Sequence, residues 1–219
     1  MSKTHRFDLV IFDWDGTLMN SEARIVDAIQ SAAQTCGLAV LPYHDSKQII
    51  GLSLDNAIRQ LYPEIEPGLV VEMAKAYTQH FLNESVVDMQ PYEGAQDLLS
   101  ELHGRGIKLA VATGKSRIGL DAVLALTGFE SYFHITRTPV ESASKPDPLM
   151  LKQILAFSNM DVSQAVMVGD TSFDMQMAQA IQMPRVAMSH GVHTLEQMAS
   201  FEPISSFEDL GSLGRWLLD

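Results

Sequence analysis

Five short stretches of the chain are predominantly apolar and lack the regular polar alternation of a half-exposed strand. They cover residues 7–12, 107–113, 132–136, 165–169 and 185–188. Continuous apolar runs of this length are typical of strands that are buried on both faces of a parallel sheet. The pattern therefore predicts five buried strands.

Helical patterns separate most of these strands. The apolar positions that recur at helical spacing are Ala95, Leu98, Leu99 and Leu102 in residues 94–103, and Leu151, Ile154 and Leu155 in residues 149–157. Strands that alternate with amphipathic helices indicate an α/β fold, in which helices cover both faces of a parallel sheet.

One segment interrupts this alternation. Roughly seventy residues separate Leu18 from Asp88, far more than an ordinary connection of about 4–6 residues. The segment has helical patterns of its own in residues 54–61 and 69–82, and an apolar stripe formed by Ile25, Ala28, Ile29, Ala32, Ala33 and Cys36. We therefore expect a helical cap domain over residues 19–88, inserted into a core domain of residues 1–18 and 89–219, with hinges at 18–21 and 85–91.

Composition narrows the class of protein. Hydrophobic residues make up 46% and charged residues 19% of the 219 residues, and the net charge is 15 − 27 = −12. These values favour a globular protein and argue against nucleic-acid binding, which requires a basic surface. The single cysteine, Cys36, excludes an intrachain disulfide.

The pattern gives no sign of a membrane partner. The apolar run near the N-terminus is too short for a signal peptide, and no stretch is long enough to span a bilayer. We expect a cytoplasmic protein that is a monomer or a weak homodimer.

Polar residues cluster directly after the predicted strands. They are Asp13, Asp15 and Thr17 after the first strand, Thr113, Gly114 and Lys115 after the second, Lys145 in the loop before residues 149–157, and Asp170 and Asp174 after residues 165–169. Ligands bind beyond the carboxyl ends of the strands in a parallel α/β sheet. We therefore expect these residues to meet at one edge of the sheet.

The spacing of the acids brings their carboxylates together. Side chains alternate along a strand, so Asp13 and Asp15 can share a direction that Trp14 does not, and Gly16 permits a sharp turn. Two ionised carboxylates ~4 Å apart repel by about 4 kcal/mol at an effective dielectric constant of about 20. A divalent cation would relieve this repulsion, and an all-oxygen ligand set favours Mg²⁺ over Zn²⁺.

Each motif taken alone has a simpler interpretation. A single Asp-x-Asp pair is most often an exposed turn, and Asp170 alone could cap a helix. The stretch "TGKS" is similar to the end of a nucleotide-binding P-loop, but Leu109 occupies the position where that motif requires glycine. The order of the motifs along the predicted sheet favours a catalytic site.

Four motifs in this order resemble those of the haloacid dehalogenase-like (HAD) superfamily. They are "DWDGTL", the threonine of "VATG", the lysine of "SKPDP", and "GDTSFD". The chain resembles most the phosphoglycolate phosphatase-like and β-phosphoglucomutase-like branch, which has a small helical cap. The resemblance implies a Rossmann-like parallel sheet and a phosphatase that acts on a small phosphorylated metabolite, either a phosphoglycolate-like ester or a sugar phosphate.

The resemblance also implies a role for each motif residue. Asp13 would be the nucleophile that forms an aspartyl-phosphate, and Asp15 would protonate the leaving oxygen and then activate water. Thr113 and the Gly114 N–H would bind phosphoryl oxygens, and Lys145 would offset negative charge. The Mg²⁺ ligands would be Asp13, Asp170 and the backbone carbonyl of Asp15, and Asp174 would bind the ion directly or support a residue that does.

Asp15 favours phosphate esters over carbon–halogen bonds, because the dehalogenase branch has no acid at that position. Candidate substrate contacts in the cap are Ser53 and Asn56, together with Lys47, Arg59 and Arg24. Four alternatives stay open: a sugar-phosphate mutase, a phosphonatase with Lys47 as a Schiff base, a pyrophosphatase, and a non-catalytic binding module.

Overall fold

A parallel sheet forms the centre of the fold. The computed structural model describes residues 5–219. Within this range the strands are β1 (Leu9–Phe12), β2 (Met19–Asn20), β3 (Gln90–Pro91), β4 (Lys108–Ala112), β5 (Ile135–Arg137), β6 (Ala165–Gly169), β7 (Arg185–Met188) and β8 (Ser205–Phe207). Six of them form one sheet in the order β5-β4-β1-β6-β7-β8, and every neighbouring pair is parallel. β2 and β3 form a separate antiparallel ribbon.

Alternate residues of the central strand face opposite sides of the sheet. In β1, Val10 and Phe12 belong to one hydrophobic cluster, and Leu9 and Ile11 belong to the other. All four side chains are fully buried. This two-sided burial explains why the strand is apolar at every position.

Helices cover both faces of the sheet. In residues 5–219 they are α1 (Glu22–Thr35), α2 (Tyr43–Lys47), α3 (Leu54–Leu61), α4 (Pro67–Gln79), α5 (Ala95–Gly104), α6 (Arg117–Thr127), α7 (Leu149–Ser158), α8 (Ser172–Gln179), α9 (Leu195–Ala199) and α10 (Leu210–Leu218). The apolar sides of α5, α6 and α10 join the cluster of Val10, and those of α7 and α8 join the cluster of Leu9. The predicted α/β fold is therefore confirmed. Across the described part of the chain, no helix has both the length and the apolar character of a membrane span.

The long interruption after β1 contains helices α1 to α4. The chain leaves and returns through the β2–β3 ribbon, in which Met19 lies opposite Pro91 and Asn20 opposite Gln90. Helix α1 packs against α4, and its buried residues Ile25 and Ile29 share one hydrophobic cluster with Val10 of the sheet. The division into a cap of residues 19–88 and a core of residues 1–18 and 89–219 stays a prediction, and residues 1–4 lie outside the described residues.

Two predicted elements differ from the structure. Residues 132–136 do not form one strand: Tyr132 ends a 3₁₀ turn, and β5 begins only at Ile135. The apolar character of this stretch has a different cause, since Phe133 packs against Trp14 with 6.2 Å between ring centroids. The helix predicted over residues 69–82 ends at Gln79 and continues as a π-helical turn, His80–Glu84.

Candidate active site

The order of the strands brings the candidate residues together. The chain winds outward from β1 through β4 to β5, and then crosses to the other side of β1 to form β6. Clefts form at the point where the winding direction reverses, beyond the carboxyl ends of the strands. Asp13 follows β1 and Asp170 follows β6, so the two acids lie on either side of this point.

Three acids form a buried cluster there. Carboxylate oxygens of Asp13, Asp170 and Asp174 lie within 4.8 Å of one another, and all three residues are fully buried. The Nζ atom of Lys145, also fully buried, lies 2.7 Å from Asp13 Oδ1 and 2.6 Å from Asp174 Oδ1. With all three carboxylates ionised, the one ammonium group would leave a net charge of −2 in a site shielded from water.

Local hydrogen bonds hold Asp170 and Asp174. The hydroxyl of Thr17 donates to Asp170 Oδ1 at 2.7 Å, and the N–H of Val192 donates to Asp170 Oδ2 at 2.8 Å. Thr171, the N-cap residue of α8, donates its N–H and its hydroxyl to Asp174 Oδ2 at 3.1 and 2.7 Å. These bonds fix both carboxylates at the strand end.

Asp13 is held differently. Its Oδ1 atom accepts the N–H of Trp14 at 2.6 Å and faces Lys145. Its Oδ2 atom is buried without a hydrogen-bond partner among the described residues. Because a buried polar atom is costly without a partner, this oxygen is available to a ligand.

Gly16 permits the close approach of the acids. Its φ of +81° lies in the left-handed region, and a Cβ atom at this position would overlap the carboxylate of Asp170. Only glycine combines this conformation with the absence of a side chain.

The cluster changes the pKa values of its members. Burial raises the pKa of Asp13 well above its usual range. The negative charges of Asp174 and Asp170 raise it further, and the positive charge of Lys145 opposes them. Burial and the charge of Asp174 raise the pKa of Asp170 to about 7. Burial lowers the pKa of Lys145, but the charges of Asp13 and Asp174 outweigh it, so the net shift is upward.

The donor set fits a divalent cation. It offers carboxylate oxygens alone and includes the unpartnered Oδ2 of Asp13. One divalent ion would neutralise the net charge of −2 that the cluster carries when all three acids are ionised. Oxygen donors suit Mg²⁺. Asp13, Asp170 and Asp174 could therefore hold Mg²⁺. The predicted ligand role of the Asp15 backbone carbonyl stays a prediction.

Asp15 lies in a second environment, beside the inserted helices. Its Oδ1 atom accepts the hydroxyl of Ser21 at 2.7 Å and pairs with Lys115 Nζ at 3.0 Å. Lys115 also lies 4.6 Å above the ring of Phe81. Trp14 is fully buried and belongs to the same hydrophobic cluster as Val10 and Phe12.

The loop before α3 closes over the end of β4. Thr113 is buried there, and its Oγ1 accepts the N–H of Lys115 at 3.2 Å. A Cβ atom at Gly114 would overlap the backbone carbonyls of Gly51 and Leu52. Only a residue without a side chain lets the loop approach this closely.

The predicted cap contacts make no hydrogen bond to the acids among the described residues. The N–H of Ser53 donates to Ser144 Oγ at 2.9 Å, next to Lys145, and Asn56 is exposed on α3. Substrate binding by Ser53 or Asn56 stays a prediction.

The cationic cap candidates have other partners. Arg24 donates to the backbone carbonyls of Phe81 and Val87, with its shortest contact at 2.6 Å. Lys47 pairs with Glu22 at 3.3 Å, and Arg59 is exposed. The pairing of Lys47 disfavours a role as a Schiff-base lysine.

Three supporting residues had no predicted role in the site. The sequence places Thr17 and Lys115 after strands and Ser21 in a hinge, but it assigns none of them a partner in the site. The position of Lys115, directly after the Thr-Gly pair, was the available signal. Its pairing with Asp15 requires the folded geometry, because 100 residues separate the two.

Comparisons with known proteins agree with this geometry. The sequence model of the family described as "Haloacid dehalogenase-like hydrolase" matches residues 10–188. The chain is 30% identical to a phosphoglycolate phosphatase of Rhodospirillum rubrum, over 95% of this chain and 90% of that protein. It is 27% identical to the pyrophosphatase PpaX of Halalkalibacterium halodurans, over 89% of each. The crystal structure of a hydrolase from Pseudomonas syringae has a TM-score of 0.84 at 22% identity and covers 93% of this chain and 94% of that one, which shows a shared fold.

The raised pKa of Asp170 predicts a pH-dependent effect of Mg²⁺ on stability. Its ordinary value is 3.8 and its value in the fold is about 7, so the folded protein binds this proton more tightly than the unfolded chain does. Without metal, the stability that this proton contributes should fall as the pH rises from about 4 to about 7. We expect Mg²⁺ to raise the melting temperature more at pH 8 than at pH 5, as measured by calorimetry with EDTA as the metal-free reference. An equal increment at both pH values would contradict this.

The ion pairs of Lys145 predict a large effect of its removal. Lys145→Met should reduce the free energy of unfolding by about 3–5 kcal/mol, because it leaves buried carboxylates without their counter-charge. Lys152→Met is the matched control, since Lys152 is exposed on α7; it should change stability by less than about 0.5 kcal/mol. Urea denaturation at neutral pH in EDTA measures both, and similar losses in the two variants would disprove the importance of these pairs.

Proposed function

This chain belongs to the haloacid dehalogenase-like hydrolases, and we propose that it hydrolyses a small phosphate monoester with Mg²⁺ through an aspartyl-phosphate on Asp13. The observation that carries the proposal is the unpartnered Oδ2 of Asp13. This buried oxygen belongs to a carboxylate whose other oxygen is already engaged by Lys145 and the N–H of Trp14. A carboxylate held in this way is oriented for attack on a bound phosphoryl group.

The first step transfers the phosphoryl group to the protein. Asp13 attacks phosphorus, the bond from phosphorus to the ester oxygen breaks, and Asp15 gives its proton to the departing oxygen. The products are an alcohol and an aspartyl-phosphate. Ser21 and Lys115 hold the carboxyl group of Asp15 next to the inserted helices, on the side proposed for the leaving group.

The second step hydrolyses the aspartyl-phosphate and regenerates the carboxylate of Asp13. Asp15, now a carboxylate, takes a proton from water, and that water attacks the phosphorus of the intermediate. Inorganic phosphate leaves, and Asp13 is again a carboxylate. One group thus gives a proton to the alcohol in the first step and takes a new one from water in the second, as general acid–base catalysis of a two-step reaction requires.

The remaining residues bind and neutralise the phosphoryl group. Thr113 and the Gly114 N–H would bind its oxygens, and Lys145 would offset its charge. Mg²⁺ would supply positive charge toward the transferring group. Its ligands would be Asp13, Asp170 and the Asp15 carbonyl, and Asp174 would be a further ligand or a support. Phosphoryl transfer depends chiefly on such positioning and charge stabilisation.

A substrate panel tests this function. The Rhodospirillum relative is named for phosphoglycolate, so phosphoglycolate is measured with hexose phosphates, nucleotides, pyrophosphate and phosphonoacetaldehyde. We expect Mg²⁺-dependent release of phosphate from at least one monoester and none in excess EDTA. Full activity in EDTA would refute the proposal, and isomerised sugar phosphate without free phosphate, seen by ³¹P NMR, would instead identify a mutase. No turnover on any compound would favour a binding module.

A substitution tests the nucleophile. Asp13→Asn should lower kcat on the best substrate by more than about a thousandfold, because an amide oxygen is a poor nucleophile. Its circular dichroism spectrum should match that of the wild type. Asp121→Asn, at an exposed carboxylate that pairs with Arg117, is the control and should retain activity. Normal turnover by the Asp13 variant would show that another group attacks.

A further inference from the structure

A cavity lies between the inserted helices and Asp15, on the side of the site where the leaving group departs. It has a volume of about 70 Å³, and the core contributes Asp15, Gly114 and Lys115 to its wall. The proposed proton donor, Asp15, therefore borders this cavity. Whatever is esterified to the phosphate must lie next to that donor.

Most of the cavity wall is hydrocarbon. It includes Ile25, Ile29, Ile49, Leu54, Phe81 and Leu82, which together define the apolar chamber. These residues come from α1, the loop before α3, α3 itself and the π-helical turn after α4. The wall also holds hydroxyl groups, one of which is the phenol of Tyr77. Burial and the charge of Asp15 raise the pKa of Tyr77, so this phenol carries no charge.

Within residues 5–219, the chamber wall offers no unpaired lysine, arginine or histidine. Lys115 is the one lysine, arginine or histidine in its wall within residues 5–219, and its Nζ is already paired with Asp15 at 3.0 Å. Arg24 is engaged with backbone carbonyls, and Lys47 with Glu22. A second anionic group on a ligand would lose its hydration and would have to share Lys115, the one basic residue of the described wall, with Asp15.

We propose that the ester cleaved here has an apolar leaving group, a short hydrocarbon alcohol without a carboxylate, which occupies the apolar chamber. This inference rests on the proposed phosphatase function, which it makes more specific. It predicts that a hydrocarbon substituent is preferred over the carboxylate of phosphoglycolate.

Non-hydrolysable phosphonates test the inference by binding alone. Methyl-, ethyl- and propylphosphonate differ only in chain length, and phosphonoacetate resembles propylphosphonate with a carboxylate in place of its terminal ethyl group. We expect affinity, measured by calorimetry at fixed free Mg²⁺, to rise about fourfold with each methylene. Phosphonoacetate should bind more weakly than propylphosphonate. Equal affinities along the series, or tighter binding of phosphonoacetate, would overturn the inference.

Two leucine variants on helix α3 test whether the hydrocarbon group of the ligand binds in the apolar chamber. Leu54 borders the chamber, and Leu61, which is also half-buried on α3, does not. Leu54→Ala should remove most of the advantage of propylphosphonate over methylphosphonate, whereas Leu61→Ala should retain it. An unchanged advantage in Leu54→Ala would place the hydrocarbon elsewhere and contradict the inference.

Hydrolysis of the matching esters separates this inference from the proposed function. If propyl phosphate is cleaved with a higher kcat/KM than methyl phosphate and phosphoglycolate, both are supported. If phosphoglycolate is the better substrate, the phosphatase assignment holds and the apolar leaving group is wrong. If no ester is cleaved but the phosphonates bind in the expected order, the proposed phosphatase function is wrong. The preference of the chamber for a hydrocarbon group is then still supported.

Discussion

The site depends on the burial of three carboxylates with a single lysine. Asp13, Asp170 and Asp174 are withdrawn from water, and Lys145 lies within 2.7 Å of two of them. Burial of like charges is unfavourable unless each is hydrogen-bonded and paired. Thr17, Val192 and Thr171 supply hydrogen bonds, and the proposed cation would neutralise the charge of −2 that remains when all three acids are ionised.

Two environments meet at the carboxyl end of β1. Asp13 faces the polar cluster, and Asp15, two residues later, borders an apolar chamber built by the inserted helices. The strand's alternation places Trp14 in the core between them. In the proposed reaction the first environment binds the phosphoryl group and the second receives the leaving group, so substrate choice would depend on the inserted helices.

The sequence predicted the centre of the fold well because that centre is buried on both faces. The predicted strands 165–169 and 185–188 coincide with β6 and β7, and the first strand begins two residues later than predicted, at Leu9. The predicted helix 54–61 coincides with α3. Short edge elements were missed: β8, Ser205–Phe207, is only partly buried, so it lacks the continuous apolar run. The aromatic residues near 132 gave a false strand signal because they pack around Trp14 from a turn.

The sequence predicted the site residues that directly follow strands. It did not predict the contacts between residues that are distant along the chain. Residues directly after β1 and β6 must lie near each other once the sheet order is known, and Asp13, Asp170 and Asp174 do. The pairing of Asp15 with Lys115 and the apolar chamber require distant segments to be placed in space, which periodicity does not provide.

The most direct test of the buried carboxylate cluster is a calorimetric titration of the metal-free protein with Mg²⁺, repeated on Asp170→Asn. If the cluster creates the cation site, the wild type binds one ion per chain and the variant, which has lost one charge and one ligand, binds far more weakly. Absence of binding to the wild type, or equal affinity in the variant, would contradict the account.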